Sequence, residues 1–454
     1  MSVISIIKLS ELQRFKRLDA EYYQPEYLQY NAILKKIGSI RLGDKEYSKV
    51  TDGIHASIDF DATSEIRCLS AQSVKKGYLD LSANTFISKE QHDRNLKTSL
   101  HVGDVIISSV GTIGNCAVVT ESMLPSNADR HVGIIRTTNQ LDPYYLCAFI
   151  NSKYGQFQTV RESTGNVQQN LFIDKMTEIL VPILANQKDV SGIIKTATAL
   201  LIDSEKKLAT AKLDLLKRLN YSHLPDELSY VSNLKLVKEA HRCDPEYYQP
   251  KYERIIQLMK EQASKIKKLE DILSFSKGYE VGSEAYQKQG IPFLRVSNVN
   301  EAEIDFDNMQ YVSEAVYNTF KKKHSPKYGE LLITKDATAG IAYVVRDYSP
   351  KLISGGILRA RMKTSDDPNY IALAVNSPFV QLQIERALTG SVIVHWQLKQ
   401  VKSTLLPIID HAEQERLGEL ARKANEMRTK AKRLFTKAIQ LVELGIERSI
   451  GLSN

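Results

Sequence analysis

Three histidines stand in polar stretches where they could touch a ligand: His55, His131 and His395. Imidazole can act as acid, base, metal ligand or hydrogen-bonding edge. Nothing around these three fixes a catalytic role. The nine histidines are scattered, and no H-E-x-x-H sets two of them on one helix face. A surface or structural role is the simpler reading for each. The four cysteines, Cys68, Cys116, Cys147 and Cys243, form no C-x-x-C pair and match no common zinc spacing. No His or Asp pattern accompanies any of them, so they read as reduced thiols of a cytosolic protein. Gly111 and Gly114 lie in Ser108-Ser109-Val110-Gly111-Thr112-Ile113-Gly114-Asn115. Their spacing is neither a P-loop nor a dinucleotide fingerprint. No G-x-S-x-G elbow occurs. Catalytic, metal and cofactor sites are therefore not expected on this chain.

Asn376-Ser377-Pro378-Phe379 comes nearest to a catalytic motif. It is similar to the N-P-P-F/Y of amino-methyltransferases but departs at the second position. No glycine-rich S-adenosylmethionine loop precedes it. The segment is expected to end one helix and start the next.

The chain has 454 residues, 61 Lys and Arg against 53 Asp and Glu, and a formal charge of +8. That length predicts two to four domains. A basic excess is the electrostatic footprint of nucleic-acid binders, although alone it is a weak signal. No apolar run approaches the ~18 residues that cross a bilayer, so no membrane partner is expected. Residues 1–12 lack the basic, apolar and small-residue order of a secretory signal.

The elements that must position any site come in duplicate. Arg17-Leu18-Asp19-Ala20-Glu21-Tyr22-Tyr23-Gln24-Pro25 returns as Arg242-Cys243-Asp244-Pro245-Glu246-Tyr247-Tyr248-Gln249-Pro250. The same shift maps Pro143 onto Pro368, Asn151-Ser152 onto Asn376-Ser377, Thr164-Gly165 onto Thr389-Gly390, and Pro182 onto Pro407. Each half opens with a short helix. β-type runs broken by glycine and polar turns follow, then a D-P-x-Y helix start.

Each half closes in a long amphipathic helix. Val190, Ile194, Ala197, Leu201, Ser204, Leu208, Ala211 and Leu215 follow 3-4 spacing in the first. Leu417, Leu420, Ala424, Met427, Ala431, Leu434, Ala438 and Leu441 do so in the second. Such narrow, alanine-rich stripes predict that the two helices pair. Packing on their own domains is the alternative. At 1.5 Å per residue each rod would be roughly 45–50 Å long.

This order of parts resembles the specificity subunit of type I restriction-modification enzymes. The resemblance spans Lys16 to Arg448 and rests on the order and duplication of weak motifs. It implies an α+β fold with a pseudo-two-fold internal repeat. Two mixed, strand-rich target-recognition domains would be separated by two long helices forming an antiparallel coiled coil. The boundaries expected are 1–185 for the first domain with its lead-in helix, 186–220 for the central helix, 221–410 for the second domain, and 411–454 for the C-terminal helix. The implied partners are double-stranded DNA, two methyltransferase subunits and restriction/translocase subunits. S-adenosylmethionine and ATP would then sit on those subunits, and this chain would be a non-catalytic, cytoplasmic reader. Two alternatives stay open: the separate specificity chain of a type II bipartite-site enzyme, and a protein-assembly scaffold that binds no DNA.

The halves differ most in their polar loops, so a bipartite target would be asymmetric. Arg, Lys, Asn, Gln, Ser and Thr are the side chains that read base edges. Candidates in the first half are Thr51, His55, Ser73, Ser108, Thr112, Asn166, Gln168, Gln169 and Asn170. In the second they are Tyr279, Arg295, Asn298, Lys335, Thr338 and Gln397. Lys75, Lys76, Lys277 and Lys321-Lys322-Lys323 would meet phosphates. Each has a competing role as a solvated loop side chain. The basic face Arg422, Lys423, Arg428, Lys430, Lys432, Arg433 and Lys437 is either solvated or set against DNA or an acidic partner. Rods of this length would hold half-site centres on the order of 13–15 base pairs apart.

Overall fold

A computed structural model describes residues 4–10, 12, 17–81, 85–165, 169–306, 308–388 and 395–451. The chain divides into two compact units, Met1–Ile202 with Lys430–Asn454, and Asp203–Thr429. Both mix helices with short strands, as an α+β chain should.

The first unit runs α1 (Pro25–Lys36), β1 (Ser39–Arg41), β2 (Ser48–Asp52), β3 (Arg67–Leu69), β4 (Thr85–Phe86), α2 (Lys89–Arg94), β5 (Val105–Ser108), β6 (Cys116–Val118), β7 (Ser126–Ala128) and β8 (Val132–Thr137). Then come α3 (Pro143–Asn151), α4 (Lys153–Glu162), α5 (Ile173–Met176), β9 (Leu180–Pro182) and the start of α6 (Gln187–Arg218). The main sheet has the order β2-β8-β5-β6; β4-β3-β7 and β1-β9 are separate small sheets. Every residue of β5 is buried. Successive strand side chains face opposite sides. Val105 and Ile107 thus enter a core with Leu146, Phe149 and Ile150 of α3. Ile106 enters another with Leu69, Val74 and Leu79.

The second unit repeats the plan. Its elements are α7 (Leu234–Ala240), α8 (Pro250–Gln262), β10 (Lys265–Lys268), α9 (Leu269–Ile272), β11 (Leu273–Lys277), β12 (Ile291–Leu294), β13 (Gln310–Val312) and α10 (Glu314–His324). They continue as β14 (Leu331–Thr334), β15 (Ala342–Val344), β16 (Leu352–Ile353), β17 (Ile357–Met362), α11 (Pro368–Val375), α12 (Pro378–Leu388), α13 (Leu398–Ser403), β18 (Leu405–Ile408) and α14 (His411–Ser449). The sheets are β11-β17-β14-β15, β13-β12-β16 and β10-β18.

The duplicated sequence landmarks make duplicated bonds. Asp142 caps α3 by accepting from the Tyr144 and Tyr145 amides, and Asp367 caps α11 from Asn369 and Tyr370. Tyr145 donates its hydroxyl to the Pro182 carbonyl, and Tyr370 donates to Pro407. β6 and β15 each end their sheet, so their outer backbone groups need partners. Asn151 supplies them for Cys116: its Oδ1 accepts from the amide at 3.2 Å and its Nδ2 donates to the carbonyl at 2.8 Å. Asn376 does the same for Ala342, at 2.9 and 2.8 Å. The N-S-P-F segment is thus a helix end and a strand clamp. Gln156 and Gln381 donate to the carbonyls of Gly114 and Gly340. The E-Y-Y-Q-P elements are pinned alike. Arg17 and Arg161 lie over the Tyr22 ring at 4.7 and 4.1 Å; Arg242 and Arg386 lie over Tyr247 at 4.5 and 4.6 Å.

Both unit boundaries fall within long helices, α6 and α14. In the first unit Val190, Ile194, Ala197 and Leu201 share a core with Ala431, Phe435, Ala438, Val442 and Ile446. Asn186 also donates to the Leu441 carbonyl at 3.0 Å. In the second unit, rising numbers on α6 meet falling numbers on α14. Ser204 donates to the Ala424 carbonyl (2.7 Å), Asp214 pairs with Arg416 (2.8 Å), and Arg218 with Asp410 (3.6 Å). The predicted stripe on α14 needs one correction. Phe435 and Val442 are buried, whereas Leu434 and Leu441 are only half-buried. A strict seven-residue stripe drifts by ~20° per heptad around a straight helix. The buried series Phe435, Ala438, Val442, Ile446 follows that drift.

Candidate nucleic-acid interface

The β5–β6 and β14–β15 hairpins have the same internal geometry. Ser108 donates its hydroxyl to the Thr112 carbonyl, and Thr334 donates to Thr338 at 2.6 Å. Gly111 turns the first hairpin at φ +75°; Ala337 occupies the matching place at φ +54°. A Cβ on Gly53 or Gly278 would press within about 2 Å of a facing carbonyl oxygen, of Asp129 or Ser354. Glycine at both places lets the following loop run beside β7 or β16. The hydroxyls of Thr112 and Thr338 stand on exposed residues at the hairpin tips.

In the first unit the candidates separate by burial. Ser73 and Ser108 are buried, at 2% and 0% exposure, so they shape loops rather than face solvent. Thr51 lies half-buried in β2 with its Oγ1 enclosed. His55, Lys76, Thr112 and Gln169 are exposed; Lys75 and Asn170 are half-buried. Asn166 and Gln168 lie outside the described residues. The Lys75–Lys76 turn sits beside the hairpin, because Asn115 donates to the Val74 carbonyl and the Gly77 amide donates to Cys116. The Phe435 ring packs where Gly77 has no side chain, and it stacks on Tyr78 at 6.2 Å.

His55 pairs with Asp52, and His131 Nδ1 lies 3.2 Å from Asp129 Oδ2. Arg130 Nε donates to His131 Nε2 at 3.3 Å. Asp52, His55, Arg130 and His131, with Ser109, Asn170 and Phe172, border a pocket of about 310 Å³. Sequence spacing could not find this grouping, since its members come from four separate segments.

In the second unit Lys277 and the exposed Lys321, Lys322 and Lys323 come together. The link is α10: His324 Nδ1 lies 2.9 Å from the Lys277 carbonyl, and Phe320 stacks on Tyr279 at 3.8 Å. Tyr279 is therefore half-buried in an aromatic stack. The Phe320 and His324 that hold it were not singled out by sequence; their spacing of one helical turn was the available signal. Three lysines in the last turn also complement the helix dipole.

Lys335 is not a bare cation. Its Nζ lies 2.7 Å from Asp336, whose other oxygen is 2.8 Å from His395 Nδ1. Burial alone would raise the Asp336 carboxyl, but these two partners hold it below the usual carboxylate range. Arg295 donates to the Asn308 carbonyl at 2.8 Å. Asn298 is 1% exposed and closes its own turn through the Arg295 amide and Asp305 carbonyl. Thr338 and Gln397 are exposed. On α14, Arg422 pairs with Glu419 and Glu426, Lys423 with Glu419, and Arg428 with Glu303. Those acids neutralise part of the basic face; Arg422 and Lys423 hold the Glu419 carboxyl down at about 2. Among the described residues no group of three or more His, Cys, Asp or Glu could hold a metal. No helix there is long and apolar enough to cross a membrane.

No protein-family model matches the chain, and no curated protein matches it. Solved structures do. A type I restriction-modification S subunit from M. genitalium is 11% identical, covering 90% of this chain and 95% of that one, with a TM-score of 0.39. The HsdS subunit from Thermoanaerobacter tengcongensis is 12% identical, with 89% and 97% covered and a TM-score of 0.27. A chain from a structure concerned with assembly and conformational transition of the type I system is 13% identical, with 90% and 98% covered and a TM-score of 0.29. The chain is thus similar to type I specificity subunits along nearly all its length.

Proposed function

We propose that this chain reads a bipartite, asymmetric sequence in double-stranded DNA as the specificity subunit of a type I restriction-modification complex. One observation carries the proposal: the two units repeat the bonds at their duplicated landmarks while their hairpin and loop side chains differ. In the first unit Ser109-Val110-Gly111-Thr112 stands where the second has Lys335-Asp336-Ala337-Thr338. A repeated frame with unlike polar tips suits two readers of unlike half-sites. Lys75 and Lys76 beside one hairpin, and Lys277 with Lys321–Lys323 in the other unit, would position the phosphate backbone.

On this reading α6 and α14 form an antiparallel coiled coil. The Ser204–Ala424, Asp214–Arg416 and Arg218–Asp410 contacts support that pairing. The pair would act as the ruler between half-sites, and the duplicated frame would dock two methyltransferase subunits. Methyl transfer, ATP-driven translocation and cleavage then belong to the partner subunits. S-adenosylmethionine and ATP would bind there, and this chain would perform no catalysis.

Co-expression with the neighbouring methyltransferase gene, followed by genome-wide mapping of adenine methylation, tests the proposal. A split motif with a fixed gap is expected. Absence of sequence-specific methylation would overturn it. Exchanging residues 19–181 for another such domain should change one half of the motif only.

A further inference from the structure

The hairpin and the segment facing it are held in the same register in both units. Val110 bridges Asn170 in the first, and Asp336 bridges His395 in the second. What occupies these places differs. In the second unit an Asp336–His395 pair and the Lys335 ammonium fill the place. In the first, Val110 carries no charge to pair, and the pocket of about 310 Å³ opens beside it.

We propose that this first-unit pocket takes one nucleobase rotated out of the DNA duplex. The inference rests on the DNA-reading function proposed above and gives that site a specific ligand. Four observations converge on a base. The volume is at the small end for ligand pockets, which suits a single planar heterocycle better than a peptide. Asp52 lines the wall opposite in charge to Arg130, and Asp129 stands behind His131, so a phosphate would meet no net positive charge. Ser109, Asn170, His55 and Asp52 offer the mixed donors and acceptors that a base edge requires. Phe172 borders the pocket with 56% of its surface exposed, while its neighbour Leu171 is buried.

Enzymes that extrude a base hold it by stacking against aromatic or apolar side chains and by hydrogen bonds to its pairing edge. Phe172 supplies the stacking face. The His131 ring, braced by Asp129 and Arg130, supplies a fixed wall. A carboxylate accepts from an exocyclic amino group, so Asp52 selects adenine, cytosine or guanine over thymine. The pocket would thereby read one base directly, at a position whose pairing partner stays in the duplex.

The test uses the full-length chain, without methyltransferase, on duplexes carrying the mapped motif. 8-Vinyladenine replaces each adenine in turn, 6-methylisoxanthopterin each guanine, or pyrrolocytosine each cytosine; each keeps an N–H donor on its pairing edge and brightens when unstacked. We expect a several-fold rise at one position in the half-site of the first unit and none in the other half-site. Phe172→Ala should cut the rise by at least half. Ile173→Trp, at a pocket-lining residue outside the reading hairpin, should abolish it while anisotropy still reports binding; should that variant fold poorly, Phe172→Ala, at an exposed ring, decides alone. Sequence-specific binding with flat fluorescence at every position would overturn the pocket proposal and leave DNA reading intact. A rise that neither substitution changes would overturn it as well. If no duplex is bound specifically, DNA reading itself fails and the pocket proposal falls with it.

Discussion

Arg359 grips Glu330 with two parallel hydrogen bonds, Nε to Oε2 at 2.5 Å and Nη2 to Oε1 at 2.8 Å. The side chains are 4% and 11% exposed. Burial alone would raise the Glu330 carboxyl, but Arg359 and the Lys327 amide outweigh it and hold the carboxyl below its ordinary value. A carboxyl with a depressed folded pKa stabilises the fold above its unfolded value of roughly 4.3. That contribution is lost as pH falls through the folded value. The second unit should therefore weaken in acid, below about pH 4, in a step that Glu330→Gln removes. At neutral pH the same substitution strands a buried guanidinium and should cost about 3–5 kcal/mol. Thermal unfolding from pH 3 to 7 checks both.

Phe435 is 3% exposed and packs against Gly77 and Tyr78. Phe435→Ala should lower the stability of the first unit by about 3–5 kcal/mol. It should also loosen the Lys75–Lys76 turn, which hydrogen exchange at the Gly77 amide would show as faster labelling. Unchanged exchange there would mean that the Asn115–Val74 bond alone fixes the turn.

The hairpins predict opposite effects for opposite exchanges. Gly111 has φ +75° and Ala337 has φ +54°. A side chain in the left-handed region costs about 1–2 kcal/mol. Gly111→Ala should therefore destabilise by about 1 kcal/mol, and Ala337→Gly should stabilise by about 0.5 kcal/mol after its greater unfolded-state freedom is counted. Denaturant midpoints of the two variants give the comparison directly.

Lys321, Lys322 and Lys323 end α10 on the exposed side. Changing all three to Gln should weaken DNA binding for every sequence alike. The slope of log K against log salt should shrink by up to ~0.9 for each phosphate contact removed. An altered methylation motif instead of a shallower slope would assign these lysines to base reading.

The repeat makes most of the frame legible in the sequence. Arg17, Asp142, Asn151 and Pro182 recur because each makes a bond that both units need. The seam on α14 was legible to within one residue; it failed at Leu434 and Leu441, where a fixed heptad outruns the helical turn. The interface was less legible because residue type says nothing about burial. Ser108 and Asn298 have reader chemistry, yet they spend it inside their own loops, and Ser73 is buried. The Asp52, Ser109, His131 and Asn170 pocket depends on bridges between distant segments, such as Val110 with Asn170, that spacing along the chain does not reveal.

Asn151 and Gln156 in one unit, and Asn376 and Gln381 in the other, fasten the roots of each hairpin from outside it. The hairpin tips thus carry little responsibility for folding. Codons for Val110 and Thr112, or Lys335 and Thr338, can change one at a time at little cost to the fold, and each change alters what the tip presents. Side-chain amides borrowed from helices make this a scaffold in which new preferences can evolve faster than new folds.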